Sequence, residues 1–245
     1  MTIILFFISH WFISLFFQTF FLHRYASHNM FVMKKSWEKV FFVLTYIAQG
    51  SSFLNPRAYA IMHRMHHTFS DTKRDPHSPH FFKSVFSLMW NTKEIYIDLV
   101  NNKIKEGEKF NENVPVWDSF ERFTDKWFHR IIWAACYTAF YVIFAEAWFY
   151  YLLLPAHFLM GPIHGAIVNW CGHKYGYRNF KDTNDNSRNS LPFDFLTLGE
   201  LFQNNHHKYP ARVNFAIRKF EIDPVFPFIK LLAFLKIIKL RVEGS

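Results

Sequence analysis

Residues 131–170 read IIWAACYTAFYVIFAEAWFYYLLLPAHFLMGPIHGAIVNW, and Glu146 is the one charged side chain among them. A transmembrane helix needs about 20 consecutive apolar residues, and this stretch has about twice that length. Proline and glycine interrupt its second half, so a single straight helix is excluded. We therefore predict a helical hairpin of two membrane spans, residues 131–146 and 147–170, with a tight turn near Ala147.

A second apolar stretch, residues 1–22, carries no formal charge. At 1.5 Å rise per residue, a helix of this length can cross a hydrocarbon core of about 30 Å. A cleaved signal peptide would show a basic beginning and a small-residue cleavage site, and the stretch has neither. We predict that it is a further membrane span.

The distribution of charge predicts the topology. All 28 Lys and Arg fall within residues 23–130 and 171–245. Basic residues flank membrane spans on the cytoplasmic side, so both segments are predicted to be cytoplasmic. Residues 37–54 are nearly long enough to span, but one more crossing would put the basic segments on opposite sides. We therefore predict an interfacial helix there, and a similar one at residues 226–241.

The composition supports a membrane protein. Of 245 residues 51% are hydrophobic, including 32 Phe, 8 Trp and 11 Tyr, which points to a membrane or a large apolar tunnel. The two cysteines, Cys136 and Cys171, form no C-x-x-C pair, and this excludes a disulfide framework, a zinc ribbon and an iron–sulfur cluster. The net charge is +9, but the basic residues flank membrane segments, so no nucleic-acid partner is expected.

Many of the 14 histidines are grouped at or near the ends of apolar segments. Four groups on the predicted cytoplasmic side hold eight of them: His23 and His28, His63, His66 and His67, His173, and His206 and His207. Eight imidazoles are too many for one metal ion and suit two ions held close together. Nitrogen ligands favour Fe, Zn, Cu or Ni, and the lack of a thiolate set argues against structural zinc.

Helical spacing tells which of these histidines can meet. Residues three and four apart share a helix face, so His63, His66 and His67 can converge on one point. Asn169 is likewise one turn before His173. His23 and His28 are five apart, and we expect them to converge only if the helix ends or bends between them.

The remaining histidines are assigned other roles. We expect helix-contact or interfacial roles for His10, His129, His157 and His164. Two more, His77 and His80, are expected to be loop residues near the entrance of the active site. The predicted fold is thus a single all-α domain, residues 1–245. It has about three spans, interfacial helices and a cytoplasmic helical cap that holds a dimetal site.

Four stretches of the chain carry a family resemblance. They are HRYASH (23–28), HRMHHTFSDTKRDPHS (63–78), NWCGHKYGYRNF (169–180) and GELFQNNHHKYP (199–210). In this order, around a membrane hairpin, they resemble the histidine boxes of the membrane fatty acid desaturases, specifically the acyl-CoA Δ9-type, or stearoyl-CoA desaturase-like, branch. The resemblance extends from about residue 10 to residue 225.

The resemblance implies two iron ions (Fe2+) bound by the eight histidines, with Asn169 holding a water that completes one iron's shell. It also implies O2-dependent removal of two hydrogens from a saturated acyl chain, which gives a cis double bond. The chain departs from the family at Gln203, where a ninth histidine is usual. We expect Gln203 to be a weak or water-mediated ligand.

Further residues are assigned roles around this centre. Nearby carboxylates should orient the imidazoles: Asp71, Asp75 and Glu200. The resemblance also implies a basic surface for the coenzyme A phosphates, for which the candidates are Arg178, Lys181 and Arg188. Each of these three could equally belong to a solvated basic face.

Partners and alternatives follow from the same features. The chain has no motif for storing electrons, so we expect a separate ferredoxin- or cytochrome-type donor with its reductase. The substrate is expected to be a fatty acyl-CoA or another acyl carrier, and the location the bacterial inner membrane or the endoplasmic reticulum. One alternative is a di-iron hydroxylase of an alkane, sterol or carotenoid. Another is a metal transporter or storage protein, although transport would need ligands at mid-membrane.

Overall fold

Helices dominate the structure, a computed structural model that describes residues 1–241. The α-helices are α1 (Thr2–Phe17), α2 (Lys35–Gln49), α3 (Pro56–Phe69), α4 (Val85–Val100), α5 (Asp118–Thr124), α6 (Trp127–Phe144), α7 (Leu154–Phe158), α8 (Met160–Lys174), α9 (Gln203–Lys208) and α10 (Phe226–Phe234). A π-helical segment, Gln18–Ser27, continues α1 without a break. The remaining helical turns are short 3-10 segments at Gly50–Ser52, Pro79–Phe81, Lys105–Phe110 and Trp148–Leu153. The expected all-α class is confirmed, in that helices make up most of the described structure.

The helix expected at residues 226–241 is shorter than predicted. It ends at Phe234, Lys236 takes a positive φ of 57°, and the chain then forms strand β2 (Ile238–Leu240). This strand pairs antiparallel with β1 (Phe31–Met33), Phe31 opposite Leu240. The prediction was wrong here because a three-residue β pairing between distant segments leaves no local signal in a run of apolar and basic residues.

Helices long and apolar enough to cross a membrane are fewer than the sequence predicts. Thr2–Ser27 meets that criterion by itself. Residues Trp148–Phe158 and Met160–Lys174 meet it as a pair, but they are bent by 73° relative to each other. Most of the expected span at 131–146 falls in α6, which ends at Phe144 and is not among these candidates. The described structure therefore offers one or two spans on length and composition.

The bend between α7 and α8 has a local cause. Pro162 has no N–H, so the carbonyl of Phe158 one turn earlier cannot be satisfied within a helix. The hydroxyl of Ser51 donates to that carbonyl at 3.3 Å instead. The backbone N–H of Gly161 donates to the hydroxyl of Ser52 at 3.0 Å, and this fixes the beginning of α8 against the 3-10 turn.

The largest group of buried apolar side chains surrounds the π-helical segment. Phe20, Phe21 and Leu22 are fully buried in it and pack with residues from α2 and from the C-terminal part of the chain. Beside them, the guanidinium of Arg24 donates to the carboxylate of Asp223 at 2.7 Å, with both side chains fully buried. The segment that carries HRYASH is thus held rigidly at the centre of the protein.

Candidate metal centre

The π-helical segment positions the first two histidines. In a π-helix each N–H donates to the carbonyl five residues earlier, and the N–H of His28 donates to the carbonyl of His23 at 3.2 Å. Residues five apart therefore lie one turn apart. The helix ends at Ser27, between the two histidines, in line with the expectation that it ends or bends there, and its last turn is wider than that of an α-helix. The hydroxyl of Ser27 donates to the carbonyl of Leu22 at 2.8 Å and supports this wider turn.

Helix α3 supplies three more histidines. The side chain of Asn55 caps its first turn by accepting from the N–H of Ala58 at 2.9 Å, and Pro56 occupies the first helical position. Along the helix, His63 and His67 face one cluster while His66 faces a second. The expectation that the three converge on one point was wrong, because α3 lies between two clusters and contributes to both.

The first cluster contains five imidazoles whose ligand atoms all lie within 4.8 Å of one another: His23, His28, His63, His67 and His206. The Nε2 of His67 lies 3.0 Å from that of His63 and 2.9 Å from that of His206. The Nε2 pairs His28–His63 and His23–His206 are 2.7 and 2.9 Å apart. Two nitrogens that bind one ion at about 2.1 Å, at right angles, are about 3.0 Å apart.

The second cluster contains His66, His173 and His207, again within 4.8 Å. The Nε2 atoms of His66 and His207 are 3.2 Å apart. The Nε2 of His173 is buried without a hydrogen-bond partner. The two clusters adjoin, because the ring centroids of His67 and His207 are 4.4 Å apart.

Carboxylates hold the outer nitrogens of four imidazoles. The pairs, from Nδ1 to carboxylate oxygen, are His23 with Glu200 at 2.5 Å, His66 with Asp75 at 2.9 Å, His173 with Asp71 at 3.0 Å and His207 with Asp185 at 2.6 Å. A carboxylate that accepts from Nδ1–H leaves the lone pair on Nε2. The lone pairs of His66 and His207 then face each other, an arrangement that a cation between them would stabilise.

Four imidazoles of the first cluster are kept neutral. Burial, together with the proximity of the other histidines, lowers the pKa of His28, His63, His67 and His206 well below the ordinary value. The pKa of His207 falls to about 4, chiefly through burial, although its carboxylate partner acts in the opposite direction. Neutral imidazole is the form that binds a metal ion. The spacing and the lone pairs of these clusters fit a metal site, and so does the lowered pKa of these five histidines.

A third group, His66, Asp75 and His77, also lies within 4.8 Å. It is not independent, because both oxygens of Asp75 lie 2.9 Å from the Nδ1 of His66, whose Nε2 belongs to the second cluster. His77 is buried without a partner for either ring nitrogen. Its burial lowers its pKa to about 3.

Gln203, one of the two amides expected at the centre, is buried. The Nε2 of Gln203 donates to the carbonyl of Glu200 at 2.6 Å, and its side chain packs on Gly172, where a Cβ would lie 2.4 Å from Cγ. This bond leaves the amide oxygen free to face another group. Both Gln203 and Asn169 line the cavity described below.

The next two amides of α9 have a structural role. The side chain of Asn204 exchanges hydrogen bonds with the backbone of Phe180, at 2.8 and 2.9 Å. That of Asn205 donates to the carbonyl of Phe215 at 2.9 Å and to the carboxylate of Glu221 at 2.8 Å. These bonds fix α9, and so they fix His206 and His207 at the centre.

None of the three expected head-group residues is among those that line the cavity described below. The guanidinium of Arg178 donates to the hydroxyl of Thr183 at 2.5 Å and to the carbonyl of Asp185 at 3.1 Å. That of Arg188 donates to the carbonyl of Gly176 at 3.1 Å, while Lys181 is exposed. Arg178 therefore braces the loop that carries the carboxylate partner of His207.

Asp185 is a site residue that sequence reasoning missed. It lies 22 residues before His207, in a polar loop without helical spacing that could relate it to any histidine. The three carboxylates that the sequence did single out all contact an imidazole nitrogen. Those three carboxylates lie within the histidine boxes in the sequence, whereas Asp185 lies outside them.

A cavity of about 930 Å³ reaches the first cluster. Helices α3, α4, α6 and α8 line it, and its wall includes His63, His77 and Glu200. The volume lies within the ~300–1,000 Å³ usual for ligand sites. Aromatic and aliphatic side chains of α4 and α6, among them Phe86, Trp90 and Ile131, form part of the remaining wall.

Two adjoining histidine clusters at the end of a candidate membrane span define a candidate metal centre. Comparison with known proteins identifies the family. The family model for fatty acid desaturase matches residues 1–229. The chain belongs to the fatty acid desaturase family, and its relatives place it with the Δ9-type branch.

Three relatives illustrate the branch. The chain is 31% identical over 224 residues to the Delta-9 desaturase-like 5 protein of Arabidopsis thaliana, and the alignment covers 87% of this chain and 68% of the relative. It is 29% identical over 221 residues to the Acyl-CoA 5-desaturase AL21 of Anemone leveillei, at 87% and 63% coverage. It is 28% identical over 228 residues to the sn-1 stearoyl-lipid 9-desaturase of Synechocystis sp., at 89% and 64%. The chain thus spans about two thirds of the length of these relatives.

Proposed function

We propose that this protein is an O2-dependent desaturase that introduces a cis double bond into a saturated fatty acyl chain. The observation that carries the proposal is the pair of adjoining clusters, in which imidazoles turn their Nε2 atoms toward common points. The family and the acyl desaturases among its relatives supply the reaction class.

The eight histidines are the proposed ligands of two iron ions. One ion is assigned to the five-histidine cluster and the other to the three-histidine cluster. Asn169, through a water, and Gln203, as a weak or water-mediated ligand, are assigned to the remaining positions because both line the adjoining cavity. The four carboxylates fix the tautomer and orientation of the imidazoles.

The cavity is the proposed site of the acyl chain. Its apolar walls would hold the chain in one conformation beside His63 and exclude water. Two bound iron ions would supply the activation of O2. The overall change removes two hydrogens from the chain and, with two electrons and two protons, converts O2 to two waters. The electrons come from a separate carrier protein, and the exposed basic residues of the proposed cytoplasmic segments suit an acidic one.

We assign the protein to a membrane, with three spans and the iron centre on the cytoplasmic face. An apolar stripe on the outer side of α2 supports the interfacial position of that helix. Its exposed residues recur at helical spacing: Trp37, Val40, Leu44 and Ile47. The apolar outer surface of α6 supports its role as a span, with Ile131, Val142 and Ile143 more than 60% exposed.

Product analysis tests the proposal. Purified protein is supplied with O2, a reduced ferredoxin and saturated stearoyl chains, carried in parallel on coenzyme A and on a glycerolipid. A cis alkene on either carrier is the expected product. An alcohol would instead support a hydroxylase, and no oxidation of either substrate by iron-loaded protein would contradict the proposal.

A further inference from the structure

The wall of the cavity along α8 follows one helix face. Gly161, His164, Gly165, Val168 and Asn169 line it at intervals of three and four residues. The place of each residue along this face indicates how far it lies from the proposed iron centre. At 1.5 Å per residue, Gly165 lies about 6 Å beyond Asn169 along the helix axis.

Gly165 differs from the other glycines of this helix. A Cβ at Gly165 would meet nothing within 4 Å, whereas one at Gly161 would lie 3.1 Å from the carbonyl oxygen of Ser52. One at Gly172 would lie 2.4 Å from Gln203. Packing therefore explains Gly161 and Gly172 but not Gly165, where glycine is less favourable in a helix than alanine. The missing side chain adds room to the cavity.

The neighbouring side chain, His164, also lines the cavity. His164 is fully buried, and neither of its ring nitrogens has a hydrogen-bond partner. In a closely packed core such an imidazole would be paired. Its edge-on contact with Trp11, at 4.5 Å between ring centroids, satisfies neither nitrogen.

We propose that Gly165 is a specificity-determining residue: it forms a distal acyl subsite through which the part of the chain beyond the reacting carbons passes. This subsite rests on the proposed acyl-chain function of the cavity. Longer chains occupy the space beside Gly165, and shorter chains end before it. A bulky side chain at this position would therefore exclude long chains selectively.

The test compares binding of saturated chains by Gly165→Leu, Gly165→Ala and the wild type. Calorimetry in detergent measures the affinity for myristoyl, palmitoyl and stearoyl chains, each carried on coenzyme A and on a glycerolipid. Since one methylene in an apolar pocket changes discrimination by about tenfold or more, the leucine variant should lower the stearoyl-to-myristoyl affinity ratio at least tenfold. The alanine variant should change it by less.

Ala166→Leu is the matched control, because Ala166 adjoins Gly165 on α8 but does not line the cavity. It should leave the affinity ratio unchanged. Should Gly165→Leu fail to fold, Gly165→Val carries the same test with a smaller side chain. Equal loss of affinity for all three chains, or no loss in a folded variant, would overturn the subsite.

Failure of the enzymatic proposal gives a different pattern. Chain-length-dependent binding that Gly165→Leu alters, without oxidation of any chain, would uphold the subsite and reject the desaturase. A wild type that binds none of the chains on either carrier would overturn the subsite itself.

Discussion

At the scale of single residues, the carboxylates explain why the imidazoles can act as ligands. His207 illustrates this, because Asp185 accepts from its Nδ1 at 2.6 Å and directs Nε2 toward the second cluster. The types and positions of the histidines were readable from the sequence. Asp185 was not, because only the folding of a polar loop brings it within reach.

Asp185→Asn tests this dependence. The amide keeps the shape but loses the charge that orients and polarises His207, so we expect metal affinity to fall about 10–100-fold. Titration of metal-free protein with Fe2+ measures it. Asp182→Asn is the control, since Asp182 is exposed on the same loop and pairs with Lys208. Equal iron affinity in both variants would show that Asp185 does not position the ligand.

At the scale of elements, the π-helical segment decides where the first two histidines meet. A spacing of five residues excluded a regular α-helix, and the sequence could be interpreted only as a helix end or bend. The wider turn depends on burial of Phe20 and Phe21 and on hydrogen bonds that no local pattern reveals. The capping of α3 by Asn55 and Pro56, in contrast, follows directly from residue types.

Ser27→Ala tests the support of the wider turn. Loss of the buried hydrogen bond from Ser27 to the carbonyl of Leu22 should lower stability by about 1 kcal/mol. That corresponds to a melting temperature about 2–4 °C lower for a chain of this size. Thr68→Ala removes a similar but exposed bond, to the carbonyl of Arg64 in α3, and should have a smaller effect. Equal melting temperatures for the two variants would contradict this role for Ser27.

At the scale of the whole molecule, the family, the helical class and the reaction class could be predicted, because four histidine boxes in order are specific. The number of spans could not be settled, since the 73° bend between α7 and α8 depends on Ser51 and Ser52 from a distant turn. The pairing of β1 with β2 was likewise invisible, because each strand is only three residues long.

The buried ion pair between Arg24 and Asp223 connects the π-helical segment to the C-terminal part of the chain. Arg24→Met leaves the Asp223 carboxylate buried without its cation, so we expect a loss of about 3–5 kcal/mol in the free energy of unfolding. Denaturant titration in detergent measures this. Lys103→Met removes the cation of a pair with Asp98 in which both side chains are solvent-exposed, and it should cost under about 1 kcal/mol. A similar small loss in both variants would mean that the buried pair does not hold these segments together.

The most direct test of the central claim is the iron content per chain of protein purified gently from an iron-supplied host. We expect about two irons in the wild type and fewer in His207→Ala, because that variant removes a ligand of the second cluster. His129→Ala, outside both clusters, should keep the wild-type content. A wild type without transition metal, or with one metal unaffected by the loss of His207, would contradict the di-iron centre.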